Sequence, residues 1–295
     1  MTGRTTFNAG EICWTDLQTK DVEAAKAFYA AVFGWRYEDL PTPDGRSYAK
    51  AFLGDDLVTV IAPQNPHQEA SGTAAKWNIY FAAADAGAIV EETPHAGGSV
   101  EFGPEEVEDT GVMVFLSPPG GGTTGVWQPG THTGSARYNE PGALAWAELL
   151  TPEPQAAVAF FQQLFGHEVT EYPQDDGGTY TTLMVDGAEV AGIAPLPKDD
   201  EEDAAADRDE AEFWGAEPEY PAGDGDGAEP EEQALQTGWQ VYFGVSSVAD
   251  AVAAAVAAGA VVLIEPEADG SDDQEAGSVA TLQDPQGGVF SVLEV

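Results

Sequence analysis

Basic residues are scarce: 10 Lys and Arg stand against 52 Asp and Glu in 295 residues, a formal net charge of −42. A surface of that sign repels phosphate backbones and anionic lipid headgroups, so nucleic-acid and membrane partners are excluded. Cysteine is nearly absent. With Cys13 alone, no intramolecular disulfide forms and no thiolate metal cage is built, which fits a reducing compartment. Long apolar runs are missing as well. Val248 to Ile264 comes nearest, but it is Ala-rich, interrupted by Asp250 and Gly259, and divides into a helix followed by a strand. The opening residues MTGRTTFNAGEICWTD lack the apolar core of a secretory signal, so a cytoplasmic protein is expected.

Enough apolar material remains to fold. Hydrophobic residues make up 43% of the chain and seven are tryptophan, so the acid must lie on surfaces and loops rather than mark a disordered chain. Adaptation to high salt accounts for this balance, because screening removes the self-repulsion that loosens such a chain in dilute buffer.

The segment CWTDLQTKDVEAAKAFYAAVFGW from Cys13 lines up with AWAELLTPEPQAAVAFFQQLFGH from Ala145 at a constant spacing of 132 residues. That spacing pairs Trp14 with Trp146, Asp16 with Glu148, Phe28 with Phe160, Gly34 with Gly166 and Tyr48 with Tyr180. The chain is a tandem duplication. WNIYF from Trp77 then matches WQVYF from Trp239 at a spacing of 162, so the second copy has gained thirty residues. They fall in an acidic, Gly/Pro-rich insertion, 198–236, that reads as a solvated loop or disordered excursion. Its DGDG run resembles part of a calcium loop but lacks the alternating oxygen ligands and the closing Glu.

Alternation predicts a strand over Glu11 to Leu17, and helical spacing predicts a helix over Asp21 to Phe33 that ends at Gly34. Two strands follow, Ser47 to Leu53 and Leu57 to Ala62, so the half-repeat reads β-α-β-β. From Trp77 the order recurs: a strand to Ala82, a helix near Asp85 to Pro94, and strands near Ser99 to Phe102, Val112 to Leu116 and Gly125 to Gln128.

This order, with the W-x-[DE]-L…AFY/AFF…FG segments, the W-x-x-YF segments and DPQGGVFSV at Asp284 to Val292, resembles the two-domain glyoxalase/bleomycin-resistance branch of the vicinal oxygen chelate superfamily. The resemblance implies an α+β fold of tandem domains, each of two βαβββ modules whose sheet curls into an open cup with helices outside. The expected domains are 1–132, with modules near 8–63 and 76–129, and 133–295, with modules near 142–197 and 238–295.

In metal-dependent relatives a His or Gln on the first strand binds a divalent metal. The resemblance places that position on Trp14 and Trp146, and the other ligand positions on Asn78 and Gln240, Gly125 and Ser291, and near Val60 and Gly192. Indole ligates no metal. The four histidines, His67, His95, His132 and His167, fall in linkers or at helix ends and are expected on the surface. No cofactor is therefore expected, with a divalent metal held by oxygen ligands as the alternative. An aromatic and hydrogen-bonding lining takes the metal's place. In the first cup it comprises Trp14, Asp16, Tyr48, Asn78, Tyr80 and Trp127; in the second, Trp146, Glu148, Tyr180, Gln240, Tyr242 and Ser291. Such walls suit a small organic ligand, although tryptophans that simply fill each cup are the competing reading. Asp16 and Glu148 are candidate general bases if burial raises their pKa. The expected function is small-molecule binding by a monomer or homodimer. The alternatives are a metal-dependent lyase or dioxygenase using Asp16, Glu148 and Gln240, and an interaction protein docking through the acidic insertion.

Overall fold

The computed structural model describes residues 6–42, 45–174, 178–196, 236–266 and 278–295. The acidic insertion, its DGDG run and their reading as a solvated excursion lie outside the described residues, except at residue 236. The first half contains β1 (Ile12–Thr19), α1 (Val22–Phe33), β2 (Arg36–Pro41), β3 (Ser47–Leu53), β4 (Asp56–Pro63), α2 (Pro66–Ala70), β5 (Lys76–Ala82), α3 (Ala86–Glu92), β6 (Ser99–Val107), β7 (Gly111–Ser117) and β8 (Thr124–Pro129). The second contains β9 (Leu144–Thr151), α4 (Pro154–Phe165), β10 (Glu168–Pro173), β11 (Thr179–Val185), β12 (Ala188–Pro195), β13 (Gly238–Val245), α5 (Val248–Ala257), β14 (Val261–Ile264), β15 (Val279–Gln283) and β16 (Val289–Glu294).

Each half forms one eight-stranded open sheet, in the orders β2-β3-β4-β1-β5-β8-β7-β6 and β10-β11-β12-β9-β13-β16-β15-β14. This is the tandem vicinal oxygen chelate architecture. Within each sheet the two modules join through their first strands, antiparallel, with Asp16 opposite Asn78 and Glu148 opposite Gln240. The β-α-β-β reading of the half-repeat missed one strand. β2 reads RYEDLP, lies at the sheet edge and is largely exposed, so it shows no apolar alternation to betray it. The helix and strand expected within Val248 to Ile264 are α5 and β14.

Helix α1 starts where the Asp21 carboxylate accepts the Ala24 N–H at 3.0 Å, and it stops at left-handed Gly34. Its buried face, Phe28, Tyr29 and Phe33, meets Phe243 and Phe290 of the other half. On α4, Phe161 meets Phe81 of the first half and Trp239 of its own. One apolar core thus runs between the two sheets on the side that carries the helices, and the opposite face of each sheet forms its cup.

His167 corrects the expectation of a surface residue. It is 4% exposed, with Nε2 2.8 Å from the Gly10 carbonyl oxygen and Nδ1 3.2 Å from that of Phe161. Burial lowers its pKa. The chain leaving α4 turns inward onto the first half, a placement fixed by packing between halves and not by any local pattern.

Candidate functional site

Strand alternation sends Trp14 and Asp16 to the first cup and Leu17 to the core, with Trp14 opposite Tyr80 and Tyr80 beside Gly125. Cys13 departs from the alternation. The register slips between Ile12 and Trp14, so Cys13 packs with Trp14 and Tyr80 on the cup side instead of facing the core.

At the floor of this cup, Asp16 accepts from Asn78 Nδ2 at 2.7 Å and from the Tyr80 hydroxyl at 2.5 Å. Burial raises the Asp16 pKa, and the two hydrogen bonds oppose the rise. Trp127 completes the wall, while Tyr48 stands part-exposed at the rim beside Glu108. Trp14, Tyr80 and Trp127 are only 7%, 2% and 6% exposed, so this cup is filled.

One filler escaped sequence reasoning. His132, expected on the surface, sets its imidazole edge-on against Trp14 at 4.3 Å and against Trp127 at 5.6 Å. Burial and nearby Lys50 lower its pKa to about 4. No periodic signal marks it, because it follows β8 in a loop.

The second cup repeats the plan with more polar walls. Trp146 Nε1 donates to the Tyr180 hydroxyl at 2.9 Å, and the Tyr242 hydroxyl donates to Glu148. Burial raises the Glu148 pKa against opposing bonds from Tyr242 and Tyr180. Ser291 and Thr281 share a hydrogen bond of 2.9 Å where the first cup has Gly125 and Phe115. Gln240 is 9% exposed, and its Oε1 is buried without a hydrogen-bond partner. Trp146, Glu148, Tyr180 and Tyr242 all keep part of their surface accessible.

Of the ligand positions implied by the family resemblance, Val60 and Asn78 lie opposite Asp16 on the two neighbouring strands, and Gly125 lies opposite Tyr80, which itself pairs with Trp14. Their chemistry does not fit a divalent cation. The first cup offers indole, Val60, Gly125 and an Asn78 amide already turned to Asp16; the second offers indole, Gly192 and two neutral side chains, Gln240 and Ser291. Among the described residues no three His, Cys, Asp or Glu gather around a point. The glycines admit tyrosines instead. A Cβ on Gly125 would run into the Tyr80 ring and the Ile79 carbonyl oxygen, and one on Gly192 into Tyr180. Gly125→Ala is expected to cost about 1–3 kcal/mol in urea unfolding, since neither strand can yield; a neutral result would mean the ring is free to move.

Residues 11–123 match the family model of the Glyoxalase/Bleomycin resistance protein/Dioxygenase superfamily, and residues 146–293 match that of the Glyoxalase-like domain. Over its whole length the chain is 34% identical to "Putative glyoxylase CFP32" of Mycobacterium tuberculosis, covering 98% of that protein. It is 29% identical to "Anthracycline biosynthesis protein DnrV" of Streptomyces peucetius, over 99% of this chain and 95% of that one. Among solved structures, the 2,3-dioxygenase LapB from Pseudomonas sp. KL28 superposes with a TM-score of 0.59 at 15% identity, covering 98% of this chain and 93% of LapB. At that identity the likeness is one of fold.

Proposed function

Because the chain belongs to the glyoxalase/bleomycin resistance protein/dioxygenase superfamily, we propose that it uses this scaffold to bind a small planar organic ligand in the second cup, without a resident metal. The observation that carries this reading is the contrast between two copies of one cup. In the first Trp14 and Tyr80 are spent on packing, whereas in the second their counterparts Trp146 and Tyr242 keep accessible surface around Glu148. A flat ring gains by covering the indole and phenol faces. A ligand hydroxyl or N–H gains by donating to the unpartnered Gln240 oxygen, since a buried acceptor left unbonded costs about 1–3 kcal/mol. Glu148 supplies a carboxyl of raised pKa at the same place, able to exchange a proton with a bound phenol or enol.

The test is a titration with 1,4-dihydroxyanthraquinone in concentrated salt, followed by tryptophan fluorescence. This probe is chosen because one full-length relative is named for anthracycline biosynthesis. Saturable quenching is expected, and Trp146→Ala should weaken it at least about tenfold, or about 1.4 kcal/mol. Equal binding by the variant would remove the second cup from the reading. Metal analysis of the same preparation is expected to find Mn, Fe, Ni and Zn below stoichiometry. One tightly held ion per chain would favour a metal-dependent lyase or dioxygenase instead.

A further inference from the structure

The loop after β8 does more than connect the halves. Residues 130–137 are tied down on both sides of the first cup: Gly130 N–H donates to the Thr110 carbonyl at 2.8 Å, Ser135 N–H to that of Cys13 at 2.8 Å, and Ala136 N–H to that of Leu57 at 2.9 Å. Arg137 Nη2 closes on Asp56 at 2.7 Å. Gly134 passes so close that a Cβ would lie 2.5 Å from the Cys13 carbonyl oxygen and 2.6 Å from the Phe7 ring. None of these contacts involves the His132 side chain, which hangs from a strap that is already fixed.

That side chain behaves as an occupant of the cup and not as part of its frame. Its ring meets two indoles edge-on, as an aromatic ligand would. Its Nε2 is buried without a hydrogen-bond partner, so the polar atom contributes nothing to holding the loop in place. The anchor between the loop and Trp127 is a backbone one, with indole Nε1 donating to the His132 carbonyl at 2.9 Å.

We propose that the first cup is a binding site filled from within by His132, and that removing this imidazole leaves a site for a small, neutral, planar heteroaromatic ring. The walls and the strap stay in place when the ring goes, and a rigid apolar cavity of this kind takes up a ring of matching size. Neutrality follows from the nearby Lys50 ammonium and from the buried aromatic surroundings, both of which disfavour a cation. Flatness follows from the seat of the His132 ring, edge-on to Trp14 at 4.3 Å and to Trp127 at 5.6 Å. The proposal does not depend on the second cup binding anything.

Full-length His132→Ala in concentrated salt is melted with and without imidazole or pyrazole, at a pH about two units above the ordinary imidazole pKa. The variant is expected to melt several degrees below the parent protein and to regain most of that loss as imidazole is added, because a ligand bound only by the folded state stabilises it by mass action. The parent protein and His132→Phe, whose cups are full, should not respond. The response should persist in His132→Ala/Trp146→Ala, which separates it from any effect in the second cup. A folded variant whose melting temperature ignores both rings, or a parent protein that gains as much as the variant, overturns the proposal. If His132→Ala is soluble only when expressed with imidazole, that supports it; insolubility with and without imidazole overturns it.

Discussion

Asp284→Ala is expected to lower the unfolding free energy by about 3–5 kcal/mol, because it removes the shared acceptor of three hydrogen bonds and each buried donor left unbonded costs about 1–3 kcal/mol. Asp284 is 3% exposed and lies in the DPQGG turn between β15 and β16. Its Oδ1 accepts the N–H groups of Gln286 and Gly288, each at 2.8 Å, and its Oδ2 accepts the Tyr29 hydroxyl at 2.8 Å. Trp77 Nε1 donates to that same hydroxyl at 3.0 Å. The chain of bonds therefore runs from β5 through α1 of the first half into a turn of the second, and one substitution leaves three donors buried with nothing to meet. The expected loss is a large share of the roughly 5–15 kcal/mol by which a folded domain survives. Asp284→Asn keeps an acceptor for the two backbone N–H groups and should cost less. A double-mutant cycle with Tyr29→Phe should give a coupling of about 0.5–3 kcal/mol. Urea melts at constant high salt measure all of these, and a loss under about 1 kcal/mol for Asp284→Ala would mean the turn finds other partners.

Much of this architecture was legible in the residues, and the boundary of what was legible has a physical cause. Alternation of side chains along a strand is a local property, so it puts Trp14 and Asp16 on one face of β1, and Trp146 and Glu148 on one face of β9. The same logic failed at Cys13, because a bulge is set by the partner strand and leaves no mark on the strand that carries it. It failed at β2, where an exposed edge strand has no reason to alternate. The histidines illustrate the larger gap. His132 and His167 sit in loops, where sequence predicts exposure, yet one is driven between two indoles and the other between the halves. Both placements depend on how distant segments pack, and no short-range pattern encodes that. Tyr48 and Tyr180 occupy equivalent positions, but only Tyr180 is engaged by its tryptophan. Duplicated residues do not guarantee duplicated contacts.

Withdrawing salt is expected to destabilise the protein on the order of 5 kcal/mol, comparable to its whole margin, and to lower the melting temperature by about 10–20 °C. Three cations of the described residues are already committed to two carboxylates each: Lys26 to Glu23 and Asp39, Arg36 to Glu38 and Asp55, and Arg137 to Asp56 and Glu140. With 52 acidic residues and 10 basic ones, most carboxylates have no counterion within the chain and rely on the solution for one. The Debye length is about 3 Å at 1 M salt and about 30 Å at 0.01 M. In concentrated salt each carboxylate therefore acts on its nearest neighbours alone, whereas in dilute buffer its field reaches most of the surface. Melting the protein across a KCl series separates screening from other effects of a concentrated solute when sucrose of equal osmolarity is run beside it. Sucrose strengthens burial by exclusion but screens no charge, and it should recover only a small part of the loss. A melting temperature that is flat from about 0.01 M to 1 M KCl would show that the acidic surface costs the fold nothing, and the reading of this chain as adapted to salt would then have to be given up.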